Sequence, residues 1–137
     1  MADQQAIVAG IQTKLTAVQT AGTVYAAVSG RIYNGPPSLD EALPFVSHFV
    51  VTDPVRRSFN KAGSEMEIQV DIYDNLASGA ASCRAIADKV FALLDNAAVT
   101  ATGWSGVQAQ CIERGGAEKE EDAFRITQRY RIWATEA

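Results

Sequence analysis

Hydrophobic positions along the chain repeat with two periods. Ile7, Ile11, Leu15 and Val18 fall at i, i+4, i+8 and i+11, one stripe of an amphipathic helix. Asp3 is placed to cap that helix and Gly22 to stop it. Residues 24–28 predict a short helical turn before Gly30, 31–34 a brief strand, and 45–52 a fuller one. Asp53-Pro54 then opens a polar connection that ends at Ser64. Beyond it the period becomes two: Met66, Ile68, Val70 and Ile72 alternate with Glu65, Glu67, Gln69 and Asp71. One face of that strand is packed and the other wet, as in an antiparallel sheet covered on one side.

After Asn75 or Ser78, either of which can cap a helix, Cys83, Ala87, Val90, Phe91 and Leu94 line one helical face, with Asn96 as terminator. Two strands close the chain, at about 106–113 and 123–134. They are joined by RGGAEKEED, whose Gly115-Gly116 pair permits the positive φ of a tight turn. The order is α-β-β-β-α-β-β, without repeated strand-helix-strand units. The expected fold is therefore α+β: a mostly antiparallel mixed sheet of about four to five strands, with two main helices packed on one face.

Totals narrow the reading. At 137 residues the chain has the length of a single domain, 1–137, with room for a real core. It is 47% hydrophobic and 20% charged, ordinary for a globular chain. A net charge of −4 and a pI near 4.9 argue against a nucleic-acid binder. Cys83 and Cys111 lie far apart without a CxxC neighbour, which suits buried thiols in a reducing compartment. No apolar run reaches membrane-spanning length, so no membrane partner is expected. The first residues have no basic segment ahead of an apolar block, so the expected product is intracellular, or a particle assembled inside a cell.

Chemistry is hard to write from these residues. The one histidine, His48, lies in a strand with no marked acid–base partner, and reads as structural. One His and two distant Cys cannot supply zinc-ligand spacing, and no phosphate-loop, dinucleotide or nucleophile-elbow motif occurs. No catalytic, cofactor or metal residue is assigned, and no cofactor is expected.

Three features rise above that background. The stretch GRIYNGPPSLDEALPFV holds Pro36 and Pro37, which fix an extended backbone and offer no N–H, so it is either a stiff connector or a contact arm. The closing strand sets Arg125, Thr127, Arg129, Arg131 and Trp133 on one parity. These arginines either face Glu65, Glu67 and Asp71 across a ladder or meet another subunit. Finally, residues 113–122 carry five acids against two bases, a local charge of −3, including Arg114, Glu118, Lys119, Glu120 and Glu121. The connection at 53–64 has the opposite sign, with Arg56, Arg57 and Lys61 around Phe59. Two oppositely charged protrusions are either solvated loops or the two halves of a head-to-tail contact.

The GRIYNGPPSLDEALPFV stretch, the EIQVDIYDN strand, the helix CRAIADKVFALLDNA, the charged hairpin and the closing RYRIWATEA together resemble tailed-phage tail completion proteins. These are also called tail terminators or head-tail joining proteins of the minor tail group. The likeness covers about residues 5–135. It implies a structural virion protein of the head-proximal tail end, assembled in the bacterial host cytoplasm, and no enzyme. It further implies a homo-oligomeric ring, commonly a hexamer, which stops polymerisation of the tail tube protein. That ring would join the tail to the head through a connector or stopper protein, and DNA would pass its lumen unbound. The resemblance transfers no catalytic residue. The candidate subunit or tail contacts are therefore the arm (Pro36, Pro37), the basic loop (Arg56, Arg57, Phe59, Lys61) and the hairpin (Arg114, Glu118, Lys119, Glu120, Glu121). The alternative from another class is a small dimeric α+β ligand-binding domain or enzyme.

Overall fold

A computed structural model describes residues 5–36, 41–52, 55–57 and 62–136, with backbone alone at 52, 55–57, 62–64 and 136. Helix α1 spans Gln5–Thr16 and α2 Val24–Ala27; β1 is Ile32–Asn34, β2 Phe45–Thr52, β3 Val55–Arg57 and β4 Ala62–Asn75. A 3-10 turn at Leu76–Ser78 leads into α3, Gly79–Leu94. Then follow β5 (Ala97–Ala98), β6 (Trp104–Arg114), β7 (Glu118–Glu120) and β8 (Ala123–Glu136).

The expected sheet of four to five strands under two helices is overturned. The described residues form one eight-stranded mixed sheet in the order β1-β2-β4-β8-β6-β5, with β3 added beside β4 and β7 beside β8. It curls toward a half-barrel. Register shifts between Val50 and Thr52, Trp104 and Gly106, and Cys111 and Glu113 account for part of the curl, because each bulge bends and twists its strand. The added strands β3, β5 and β7 have two or three residues each, too few to show an alternation. The connection at 53–64 is thus partly strand: Val55 to Arg57 pair with Ser64 to Ala62.

Other boundaries shift for local reasons. Helix α1 ends at Thr16, whose hydroxyl bonds back to the Gln12 carbonyl at 2.8 Å, and Gly22 serves a later turn at φ 92. Asp3 lies outside the described residues. Neither Asn75 nor Ser78 makes a side-chain cap bond. The tight turn of the hairpin falls at Glu121, at φ 52, and not at Gly115-Gly116. Gly115 is needed for a different reason: its N–H meets the Thr127 carbonyl at 2.8 Å, and a Cβ there would sit 3.1 Å from that oxygen.

The core lies between the helices and the even-numbered side chains of the central strands. Met66, Ile68, Val70 and Ile72 of β4 and Ile126, Tyr130 and Ile132 of β8 meet Ile7, Ile11 and Leu15 of α1 and Cys83, Val90 and Leu94 of α3 in one cluster. The Tyr130 hydroxyl and the Gln128 amide inside it are matched. Tyr130 donates to Gln128 Oε1 at 2.5 Å, and Gln128 donates to the Ala87 carbonyl at 2.9 Å, tying β8 to α3. Helix α1 approaches residues 99–100 so closely that a Cβ on Gly10 would lie 2.4 Å from the Thr100 carbonyl oxygen.

Candidate assembly interface

The long β4–β8 ladder separates the two charged protrusions. It runs from Gly63 opposite Thr135 to Asn75 opposite Ala123, about 40 Å at the rise of a strand. Strand β3, which carries Arg56 and Arg57, joins β4 at the first end; β7 and its turn join β8 at the second. The acidic hairpin and the basic connection therefore stand at opposite ends of the domain. Phe59 and Lys61 lie outside the described residues, as do the side chains of Arg56 and Arg57.

Within the hairpin, charges divide into those satisfied at home and those left over. Arg125, opposite Glu118, holds Glu118 at 3.3 Å and Glu120 at 3.2 Å, and Tyr73 Oη donates to Glu120 at 3.4 Å. Arg114 turns back to α3, pairing with Asp88 and lying 4.2 Å over the Phe91 ring. Lys119, Glu121 and Asp122 are exposed and enter no ion pair among the described residues. Of the hairpin candidates, Arg114, Glu118 and Glu120 thus hold the hairpin to its own domain, and Lys119 and Glu121 are presented outward.

The arm is at least a connector. Strands β1 and β2 are parallel, Ile32 beside Val46, so their connection must return the chain to the level at which β1 began. Both ends are tied. The Gly35 N–H meets the His48 carbonyl at 2.8 Å, and the Ser47 hydroxyl donates to the Gly35 carbonyl. At the other end Arg31 donates to the Leu43 and Pro44 carbonyls at 3.1 and 3.0 Å, across a cis Leu43-Pro44 bond. Pro36 is exposed; Pro37 lies outside the described residues.

On the arginine face of β8 only Arg131 pairs with carboxylates across the β4 ladder among the described residues; Arg129 stands opposite Gln69, and its buried Nε meets no hydrogen-bond partner there. Arg131 stands opposite Glu67, with Nε 3.2 Å from Glu65 and Nη2 3.7 Å from Glu67. Asp71, fully buried, accepts from Thr127 at 2.8 Å and from Gln69 at 3.0 Å. Trp133 remains 40% exposed beside Arg131, whose guanidinium lies 5.8 Å from the ring centre.

His48 points into the core on the face opposite Ser47. Gln12 gives its amide N–H to the Ile32 carbonyl at 3.0 Å, so its oxygen faces His48 Nε2, 2.6 Å away, and Nε2 carries the proton. Burial pushes this imidazole down to about 4. Among the described residues no three His, Cys, Asp or Glu side chains converge as a metal site requires, and no helix is long and apolar enough to cross a membrane.

Sequence reasoning did not find a groove between α1 and α3. Two adjoining hollows of about 210 and 290 Å3 share Lys14, Val18 and Leu93 in their walls, with Lys89 and Val24 at one and Val99 at the other. Its residues come from separate helices and a loop, so no sequence spacing announces it.

The fold recurs in solved structures. One chain of the virion of a native gene transfer agent particle superposes with a TM-score of 0.74 at 22% identity, over 96% of each chain. A second solved protein, without a functional description, gives 0.69 at 13% identity, over 96% of this chain and 95% of its own. At these identities the likeness is one of fold. No curated protein matches the chain. A family model described as tail completion protein gp17 matches residues 11–135, a span that takes in the second half of α1, the whole sheet up to Thr135 and the charged hairpin. The chain belongs to this family of phage tail structural proteins.

Proposed function

We propose that this chain caps the head-proximal end of a phage-like tail tube as a closed ring of identical subunits, six by the family resemblance. The ring stops tube polymerisation and offers the surface to which the head's connector or stopper joins, with DNA passing through its lumen. It is a virion component assembled in the host cytoplasm, and its role is structural rather than catalytic. The observation that carries this reading is the placement of the acidic hairpin and the basic β3 connection at opposite ends of the β4–β8 ladder. Charges so far apart on one subunit cannot neutralise each other, but they suit a head-to-tail contact that closes by rotation. The gene transfer agent virion chain, itself part of a phage-like particle, supports the same context. The candidate contacts are Pro36 and Pro37 of the arm, Arg56, Arg57, Phe59 and Lys61 of the loop, and the outward Lys119 and Glu121, with Arg114, Glu118 and Glu120 bracing the hairpin.

The test is assembly of purified protein, alone at high concentration and with tail tube. Reversing Arg56 and Arg57 to glutamate should weaken ring formation, and raised salt should do the same by screening. Rings unaffected by either change would remove the charged loops from the contact.

A further inference from the structure

The groove between α1 and α3 has an unusual composition for a surface left bare. Val18, the most exposed large apolar side chain among the described residues at 55%, sits between its two hollows, and Leu93 forms a shared wall. Lys14 and Lys89 stand at its rim, both half-buried, and neither meets a carboxylate among the described residues. Such a groove suits an extended segment with an apolar side chain followed by negative charge. The chain itself holds one: Pro36-Pro37-Ser38-Leu39-Asp40-Glu41, a leucine followed by two acids and preceded by two prolines. The exposed hairpin turn offers charge but no apolar anchor, since Glu121 and Asp122 are its outermost residues.

The described residues that flank this segment are held away from the molecule's own groove. Helix α1 turns Gln12 toward β1, the strand from which the arm departs, and turns Lys14 away by ~160° at 3.6 residues per turn. The arm's ends are fastened beside β1 and β2, across α1 from the groove. We propose that the groove seats residues 38–41 of a second copy, Leu39 entering beside Val18 and Asp40 and Glu41 meeting Lys14 and Lys89, with Glu41 exchanging its hydrogen bond to its own Tyr33 for the new contact. The two surfaces are different, so the contact is heterologous and propagates from subunit to subunit. Two prolines limit the entropy lost when the arm is bound. This inference rests on the ring reading and names one contact within the ring.

The experiment is sedimentation equilibrium of the full chain up to millimolar concentration, with and without tail tube, each variant first checked for cooperative melting. K14E/K89E should weaken self-association by about tenfold or more, and so should D40K/E41K. Combining all four changes in one chain should restore it to within about threefold of the original. V18D, on an exposed position, should weaken it without touching either charge. Unchanged association in the groove variants, together with loss in R56E/R57E, would overturn the groove contact and leave the ring standing. Rescue of K14E/K89E by E121K/D122K instead would make the hairpin the occupant and overturn the arm. An original chain that stays monomeric under every condition would overturn both the contact and the ring.

Discussion

His48 is the only histidine in the chain, which makes its titration a clean perturbation. In the unfolded chain an imidazole titrates near 6.5; here burial lowers it to about 4. Between those values the unfolded state binds a proton that the folded state does not. Stability is therefore fully present above pH 6.5 and is lost as pH falls toward 4. At pH 5 the unfolded imidazole is almost wholly charged and the folded one about a tenth charged, so the loss relative to pH 7 is about 2 kcal/mol, approaching about 3 kcal/mol below pH 4. For a chain of this length, 2 kcal/mol is a fall in Tm of about 6–8 °C. Urea unfolding at pH 7 and pH 5 should be compared between the original and His48→Gln, which can still donate to Gln12. Carboxylates common to both chains cancel in the difference, and the original should lose about 2 kcal/mol more than the variant. Equal losses, or a folded-state imidazole titrating near 6.5 by NMR, would refute the reasoning.

Ile68 is 2% exposed under the helices and Ile112 is 41% exposed on β6. Ile68→Ala should cost about 2–5 kcal/mol and Ile112→Ala about 0.5 kcal/mol or less in chemical denaturation. Gly10→Ala should destabilise by about 1–3 kcal/mol despite alanine's better helix propensity, because the new methyl meets the Thr100 carbonyl; a stabilised variant would show that α1 and residues 99–100 part easily. Burial pushes the Cys83 thiol up to about 12, so a thiol reagent at pH 8 should label it only on unfolding, with half-buried Cys111 reacting first.

How much of this was legible in the sequence depended on whether one residue's environment repeated at a fixed step. The core face of β4, and that of α3 apart from Ile86, which is buried and was not read, and Phe91, which is only half-buried, could be read because long runs alternate or turn against a single apolar surface. Parity also put His48 on the face away from Ser47, but not its partner Gln12, 36 residues distant. The short strands β3, β5 and β7 left no period to read. Gly115-Gly116 invited the tight turn, yet Glu121 takes the positive φ, and Gly115 is there for contact with Thr127. The stiffness of Pro36 and Pro37 was plain, whereas the Arg31 bonds that tie the arm's far end were not. Lys14 and Lys89 meet only through tertiary packing.

The most direct test of the central claim is electron microscopy of particles assembled with and without this chain. With it, a ring containing the protein should close the head-proximal end of every tail; without it, tubes should overrun their normal length or fail to join heads. Tails of normal length joined to filled heads in its absence, or a head-proximal ring that lacks the protein, would contradict the account.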